Sequence, residues 1–96
     1  MGLIYFVQPA ELVGTNRFKI GCSSDSTLKR VQTRYKKGTR YLHIAEDKYP
    51  FKIERLLKDK FKKRFELIAG TEYFEGNEDH MKSYFLHILK KHLELE

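Results

Sequence analysis

One cysteine, two prolines and no tryptophan occur in the 96 residues, and each scarcity removes a class of protein. Cys22 alone cannot close an intrachain disulfide, so stability has to come from an apolar core. A single thiol also fits an intracellular, reducing setting better than a secreted one. With that cysteine and four histidines, no cysteine pair is available to complete a zinc-ligand set. Neither a glycine-rich phosphate loop nor a Cys/His protease signature is present. No apolar run approaches the roughly 18 residues that span a bilayer. No basic segment leads into a long hydrophobic one, so neither a membrane partner nor a signal peptide is expected. Internal repeats, low-complexity tracts and linkers are missing as well.

What remains is enough for one domain over residues 1–96, because 41% of the chain is hydrophobic and 14% aromatic. Nineteen Lys and Arg stand against thirteen Asp and Glu, a net charge of +6. Such an excess suits a polyanionic partner, since each neutralised phosphate releases condensed counterions. A lysine-rich soluble surface produces the same balance. The placement of the charges has to decide between the two.

Leu3 to Val7 is a continuous apolar run ended by Pro9, the pattern of a strand covered on both faces. A loop from Pro9 to Asn16 leads to a second strand at Arg17 to Gly21, predicted to form a hairpin with the first. Asp25 or Ser26 suits the cap of a helix from about Thr27 to Gly38, with Leu28, Val31 and Tyr35 on its apolar side. A third strand is predicted over Arg40 to Glu46, with Leu42 and Ile44 on one face and Tyr41 and His43 on the other. Pro50 opens a second helix that runs to about Phe65. Gly70 breaks the chain before a short extended segment, Thr71 to Phe74. Asn77 caps a last helix with an apolar stripe of Met81, Tyr84, Phe85, Ile88 and Leu89. The order β-β-α-β-α-α predicts an α+β fold: a small, mainly antiparallel three-stranded sheet flanked by helices.

Three features stand out as chemistry. Glu54, Leu57, Phe61 and Phe65 share one helix face, and a carboxylate on a packing face must be exposed, paired or metal-bound. Lys58, close to that face, offers an ordinary ion pair as the simpler explanation. Arg30, Arg34 and Lys37 form a second stripe on the first helix. Two guanidiniums four residues apart match phosphate oxygens, although a solvated basic face has the same spacing. Tyr5 and Lys19 lie on the paired strands and converge if the register puts them on one face; otherwise they are a packed ring and an exposed lysine.

Leu3-Ile4-Tyr5, then Phe18-Lys19-Ile20-Gly21 after a hairpin-length gap, resembles the paired motif of the GIY-YIG nucleases. Lys29-Arg30 is similar to the family's catalytic arginine segment, and Glu54-Arg55-Leu56-Leu57 to its metal-binding glutamate segment. The likeness covers roughly residues 2 to 75. Lys19 stands where the second motif has tyrosine, as in a branch of the family that also carries a Glu-aromatic-Phe segment like Glu72-Tyr73-Phe74. The asparagine that many members place after the glutamate has no counterpart, Asn77 being better explained as a helix cap.

The resemblance implies a metal-dependent DNA endonuclease in which Tyr5, Lys19, Arg30 and Glu54 are catalytic. Glu54 would hold Mg²⁺ (or Mn²⁺), and Arg34 and Lys37 would contact DNA. Tyr5 would position or deprotonate the attacking water, which for deprotonation needs a phenol pKa below the usual value near 10. A neutral Lys19 is the other candidate base. His43 on the third strand is a further, weaker candidate for the same site. A non-catalytic nucleic-acid-binding module with the same fold is the alternative, and an interaction domain using the last helix (a homodimer, for example) a third. Monomer and homodimer are both compatible with the sequence.

Overall fold

A computed structural model describes residues 1–94. Strand β1 (Gly2–Gln8) leads through a 3-10 turn at Ala10–Leu12 to β2 (Arg17–Ser23). Then come α1 (Leu28–Thr33), β3 (Arg40–Asp47), α2 (Pro50–Arg64), β4 (Glu66–Ala69), β5 (Tyr73–Glu75) and α3 (Glu78–Glu94). The strands make one sheet in the order β3-β1-β2-β5-β4, and every pairing is antiparallel. The α+β class is as predicted. The sheet has five strands rather than three, because the Thr71–Phe74 segment pairs with β2 and brings β4 with it. Only a tertiary contact announces β4. Phe65 leaves the helix in an extended conformation, φ −123° and ψ 161°, and its ring packs on Phe61 and Tyr84. Gly70, at φ +55°, reverses the chain toward β5 in a geometry that costs a side-chain-bearing residue strain.

Every residue of β1 is buried, as its unbroken apolar run predicts. On one face of the sheet Ile4, Phe6, Phe18 and Ile20 meet Ile53, Leu57 and Phe61 of α2 and Met81, Phe85, Ile88 and Leu89 of α3. Phe6 stacks on Phe85 at 5.5 Å between ring centroids and also touches Phe18 and Phe61. The other face carries a smaller cluster of Leu3, Tyr5, Val7 and Val31, with Tyr35, Tyr41 and Ile44 packed on it.

Two expectations about local structure fail for identifiable reasons. The first helix stops at Thr33 rather than near Gly38. Arg34 and Tyr35 donate to the carbonyls of Val31 and Gln32, three residues back, so the last turn tightens as Tyr35 settles on the sheet. Lys37 therefore lies in the exposed turn that follows the helix, not on a stripe with Arg30 and Arg34. In β3 a bulge at Leu42, opposite the Phe6/Val7 step, breaks the alternation. Leu42 packs on the larger core and Ile44 on the smaller one, so they do not share a face.

Polar groups tie the ends of these elements together. The buried Gln8 amide donates to the carbonyls of Thr15 and Arg17, at 2.8 and 3.3 Å, and accepts from Arg40 at 2.8 Å. Arg40 also makes a bidentate pair with Glu78 at the start of α3. Asn77 caps α3, its Oδ1 accepting from the His80 amide at 3.0 Å. No helix of the described residues is long and apolar enough to cross a membrane.

Phe61 touches Phe6, Phe65, Phe74, Tyr84 and Phe85, so it joins β1, β5, α2 and α3. Phe61→Ala is expected to destabilise the fold by about 3–5 kcal/mol, read as a lower midpoint in urea unfolding.

Candidate active site

The β1/β2 register sets Tyr5 opposite Gly21 and Val7 opposite Lys19. Tyr5 and Lys19 are therefore diagonal neighbours on the α1 side of the sheet, within reach of each other's long side chains. Gly21 has a steric reason. A Cβ there would lie 2.5 Å from Cε1 and 2.8 Å from the hydroxyl of Tyr5, so the phenol rests directly on the β2 backbone. Any side chain at this position would push the ring away.

β5 covers β2 only from Arg17 to Lys19, so toward Gly21 and Ser23 that edge of β2 has no strand beside it among the described residues. The gap lets the two sides of the sheet meet. Tyr5, Lys19, Arg34 and Tyr35 come from the α1 side; Cys22 and Glu54 come from the α2 side; Glu72 approaches from the turn before β5. Together with Gly21 they line a cleft of about 180 Å³. A larger hollow of about 600 Å³ lies between Arg64, Phe65, His80, Ser83, Tyr84 and His87 and holds no carboxylate.

In and beside the cleft the charges form a chain. Lys58 pairs with Glu54 at 3.2 Å and lies 4.0 Å from Glu72, which is also 4.0 Å from the Lys19 ammonium. Lys19 stands over the rings of Tyr35 and Tyr73, 5.0 and 5.5 Å from their centroids, an arrangement that holds a cation well. The hydroxyls of Tyr5 and Tyr35 are 3.4 Å apart, and an Arg34 guanidinium nitrogen is 3.4 Å from the Cys22 carbonyl. Burial, and then the contact with Tyr35, push the Tyr5 phenol well above its usual pKa, outweighing the lowering effects of Lys19 and Arg34. The lowered phenol pKa that a base would need is therefore not what this environment provides.

Of the residues singled out from sequence, Tyr5, Lys19, Arg34 and Glu54 come together. Arg30 does not: its side chain is 74% exposed and pairs with Asp25 at 3.5 Å, at the outer end of α1. Lys37 is likewise not part of the cleft lining. His43 faces the other side of the sheet, its ring against Phe85 at 5.9 Å, because the Leu42 bulge turns it toward α3. The simpler explanation of Glu54, an ion pair with Lys58, is present in full. The sequence hid Tyr35 among apolar helix positions and gave Glu72 only as part of a resemblance. Tyr35 both packs on Tyr41 and closes the cleft.

Glu54 and Glu72 are the carboxylates that border this cleft. No group of three His, Cys, Asp or Glu able to hold an ion occurs among the described residues. One or two carboxylates fit a hard cation such as Mg²⁺, which keeps most of its waters, once Glu54 is released from Lys58.

Cys22 reports on Glu54. Burial first, and then contact with the carboxylate, push its thiol up to about 12. Removing the carboxylate removes a raising cause, so Glu54→Gln is expected to increase the thiolate fraction and speed alkylation of Cys22 by iodoacetamide at mildly alkaline pH. An unchanged rate would mean that the two side chains are not in contact.

No curated protein and no solved structure matches the chain. A family model does, the T5orf172 domain, over residues 2–89, and the chain belongs to that family.

Proposed function

We propose that this domain is a metal-dependent DNA endonuclease, resembling the GIY-YIG nucleases, that hydrolyses phosphodiester bonds by nicking or structure-selective cleavage. Membership of the T5orf172 family supports the coarser part, a nuclease-like or nucleic-acid-binding module. The observation that carries the finer reading is the meeting of Tyr5, Lys19, Arg34 and Glu54 around the free edge of β2.

Hydrolysis needs a water aimed at phosphorus, positive charge around the oxygens that gain electrons, and a proton for the leaving 3′ oxygen. Arg34 binds the non-bridging oxygens through its planar donors, with the Lys19 ammonium on the other side of the phosphate. Tyr5 keeps its proton and acts as a hydrogen-bond donor that orients the water or a phosphate oxygen. Glu54, with Glu72 beside it, would hold a divalent cation (Mg²⁺ or Mn²⁺) that supplies Lewis acidity and acidifies water. Arg30, the arginine that the resemblance marks as catalytic, reaches the phosphate only by leaving Asp25. Once released from Asp25, its part would be to meet the developing charge on the phosphate.

The Glu54–Lys58 pair favours a second reading, a nucleic-acid-binding module without catalysis, because a compensated carboxylate has little charge left for a cation. Nicking of supercoiled plasmid with Mg²⁺, with Mn²⁺ and with EDTA separates the two. Metal-dependent nicking that disappears in Glu54→Gln is the expected result, and Arg34→Ala should lower the rate about 100–1,000-fold. A wild-type protein that shifts DNA at low salt but cuts with neither metal would be the binding module.

Tyr5 gives a separate pH test. Its raised pKa keeps the phenol neutral beyond the ordinary value of about 10. Tyr5→Phe should therefore reduce kcat without reshaping the pH–rate profile between roughly pH 7 and 10. Loss of an alkaline rise in the mutant would instead make the phenolate the base.

A further inference from the structure

A second groove adjoins the first. Phe51, Glu54, Arg55, Lys58, Asp59 and Thr71 line a hollow of about 300 Å³, and Glu54 belongs to both walls. Thr71 precedes Glu72 in the chain, so the two hollows run together across the α2 face and the turn before β5. Phe51, Glu54, Arg55 and Lys58 are spaced by three, one and three, which puts them on one side of α2. Phe51 and Glu54 are neighbours about one helical turn, roughly 5 Å, apart.

Phe51 is the misfit on this surface. The buried residues of α2 are Pro50, Ile53, Leu57 and Phe61, which face the sheet. Phe51 lies about 100° round the helix from Pro50, is 58% exposed, and takes part in no ring contact among the described residues. Its neighbours in the groove include Arg55 and Lys58, and the adjoining cleft adds Lys19 and Arg34. Lys58 and Lys19 are engaged by Glu54 and Glu72, whereas Arg55 and Arg34 form no ion pair among the described residues. An aromatic face near two such guanidiniums matches a nucleic acid strand. The cations meet phosphates, and the ring meets a base whose π-face is free. In a duplex both faces of an internal base are occupied by its neighbours, so a ring standing outside the helix has no base to stack on.

We infer that Phe51 is a stacking platform for an unpaired base next to the phosphate held by Arg34 and Lys19, so that the preferred substrate is single-stranded or flapped DNA. The inference rests on the nuclease reading only for the position of that phosphate. The binding it describes does not require cleavage. Arg55 takes the phosphate on the far side of the base. Asp59 borders the groove as well, and its negative charge limits how far the strand can follow α2.

The test compares the affinities of the whole chain for a short labelled single strand and for the corresponding duplex. Fluorescence anisotropy reads them at one fixed low salt concentration with EDTA present to prevent cleavage. Wild type should prefer the single strand. Phe51→Ala should lower the ratio of the two affinities about tenfold, in line with the loss of one base–aromatic stack. Phe51→Tyr should keep the ratio. Phe51→Leu, apolar but without a π-face, should behave like the alanine variant. Phe51 is outside the core, so unfolding midpoints close to wild type are expected and confirm that the variants fold. An unchanged ratio in Phe51→Ala, or an equal fall for both DNAs, overturns the stacking platform. If wild type nicks plasmid and Phe51→Ala leaves the ratio unchanged, the endonuclease stands and the platform falls. If the ratio falls as expected but no metal supports cleavage, the platform stands and the endonuclease falls.

Discussion

β5 pairs with β2 for three residues and stops, and the arrangement of the candidate site depends on that shortness. A sheet normally separates what lies on its two faces. Here α1 with Arg34 and Tyr35 lies on one face and α2 with Glu54 on the other. Had β5 continued alongside Gly21 and Ser23, a strand would stand between them. Because the edge is free, an arginine, a lysine, two phenols and two carboxylates meet around one strand backbone. Gly21 sits at the centre of this meeting, and its missing side chain is the space that the Tyr5 ring fills.

The larger core makes that geometry rigid. Phe6 in β1 and Phe61 in α2 belong to one cluster of rings with Phe18, Phe74 and Phe85, so the helix that carries Glu54 is fixed to the strands that carry Tyr5 and Lys19. On the opposite face the support is lighter: Val31 is the one buried residue of α1, a helix of six residues. Arg30 on this helix and Arg34 just after it thus have little packing behind them. Of the groups that line the site, Arg34 is the one that ligand binding can rearrange at least cost.

Electrostatics distinguish the two tyrosine roles that the sequence leaves open. Lys19 and Arg34 do act on Tyr5 in the direction that would lower its pKa, but desolvation and the neighbouring Tyr35 hydroxyl win. A phenol in this setting keeps its proton beyond the usual range, which suits the donor role proposed for it. The Lys19 side chain lies over two rings and 4.0 Å from Glu72. The cost of this preorganisation is that Glu54 and Glu72 are both engaged by Lys58, and any cation has to compete with it.

Sequence by itself determined the α+β class, the positions of β1, β2, β3, α2 and α3, and the Asn77 cap, because each has a local cause. These are an unbroken apolar run, a period of two or of 3.6, a proline at a first turn, and an amide side chain before a helix. It also marked Tyr5, Lys19, Arg34 and Glu54, as polar groups set among apolar residues or spaced four apart. Tertiary structure alone decided the rest. β4 forms because Phe65 packs on Phe61 and Tyr84; His43 faces α3 because of one bulge; α1 ends early because Tyr35 is needed on the sheet. Arg30 and Arg34, indistinguishable by spacing, were separated when one found Asp25 and the other the cleft. The physical reason is the same in each case: periodicity reports which face a residue is on, whereas its partner is chosen by elements distant in the chain.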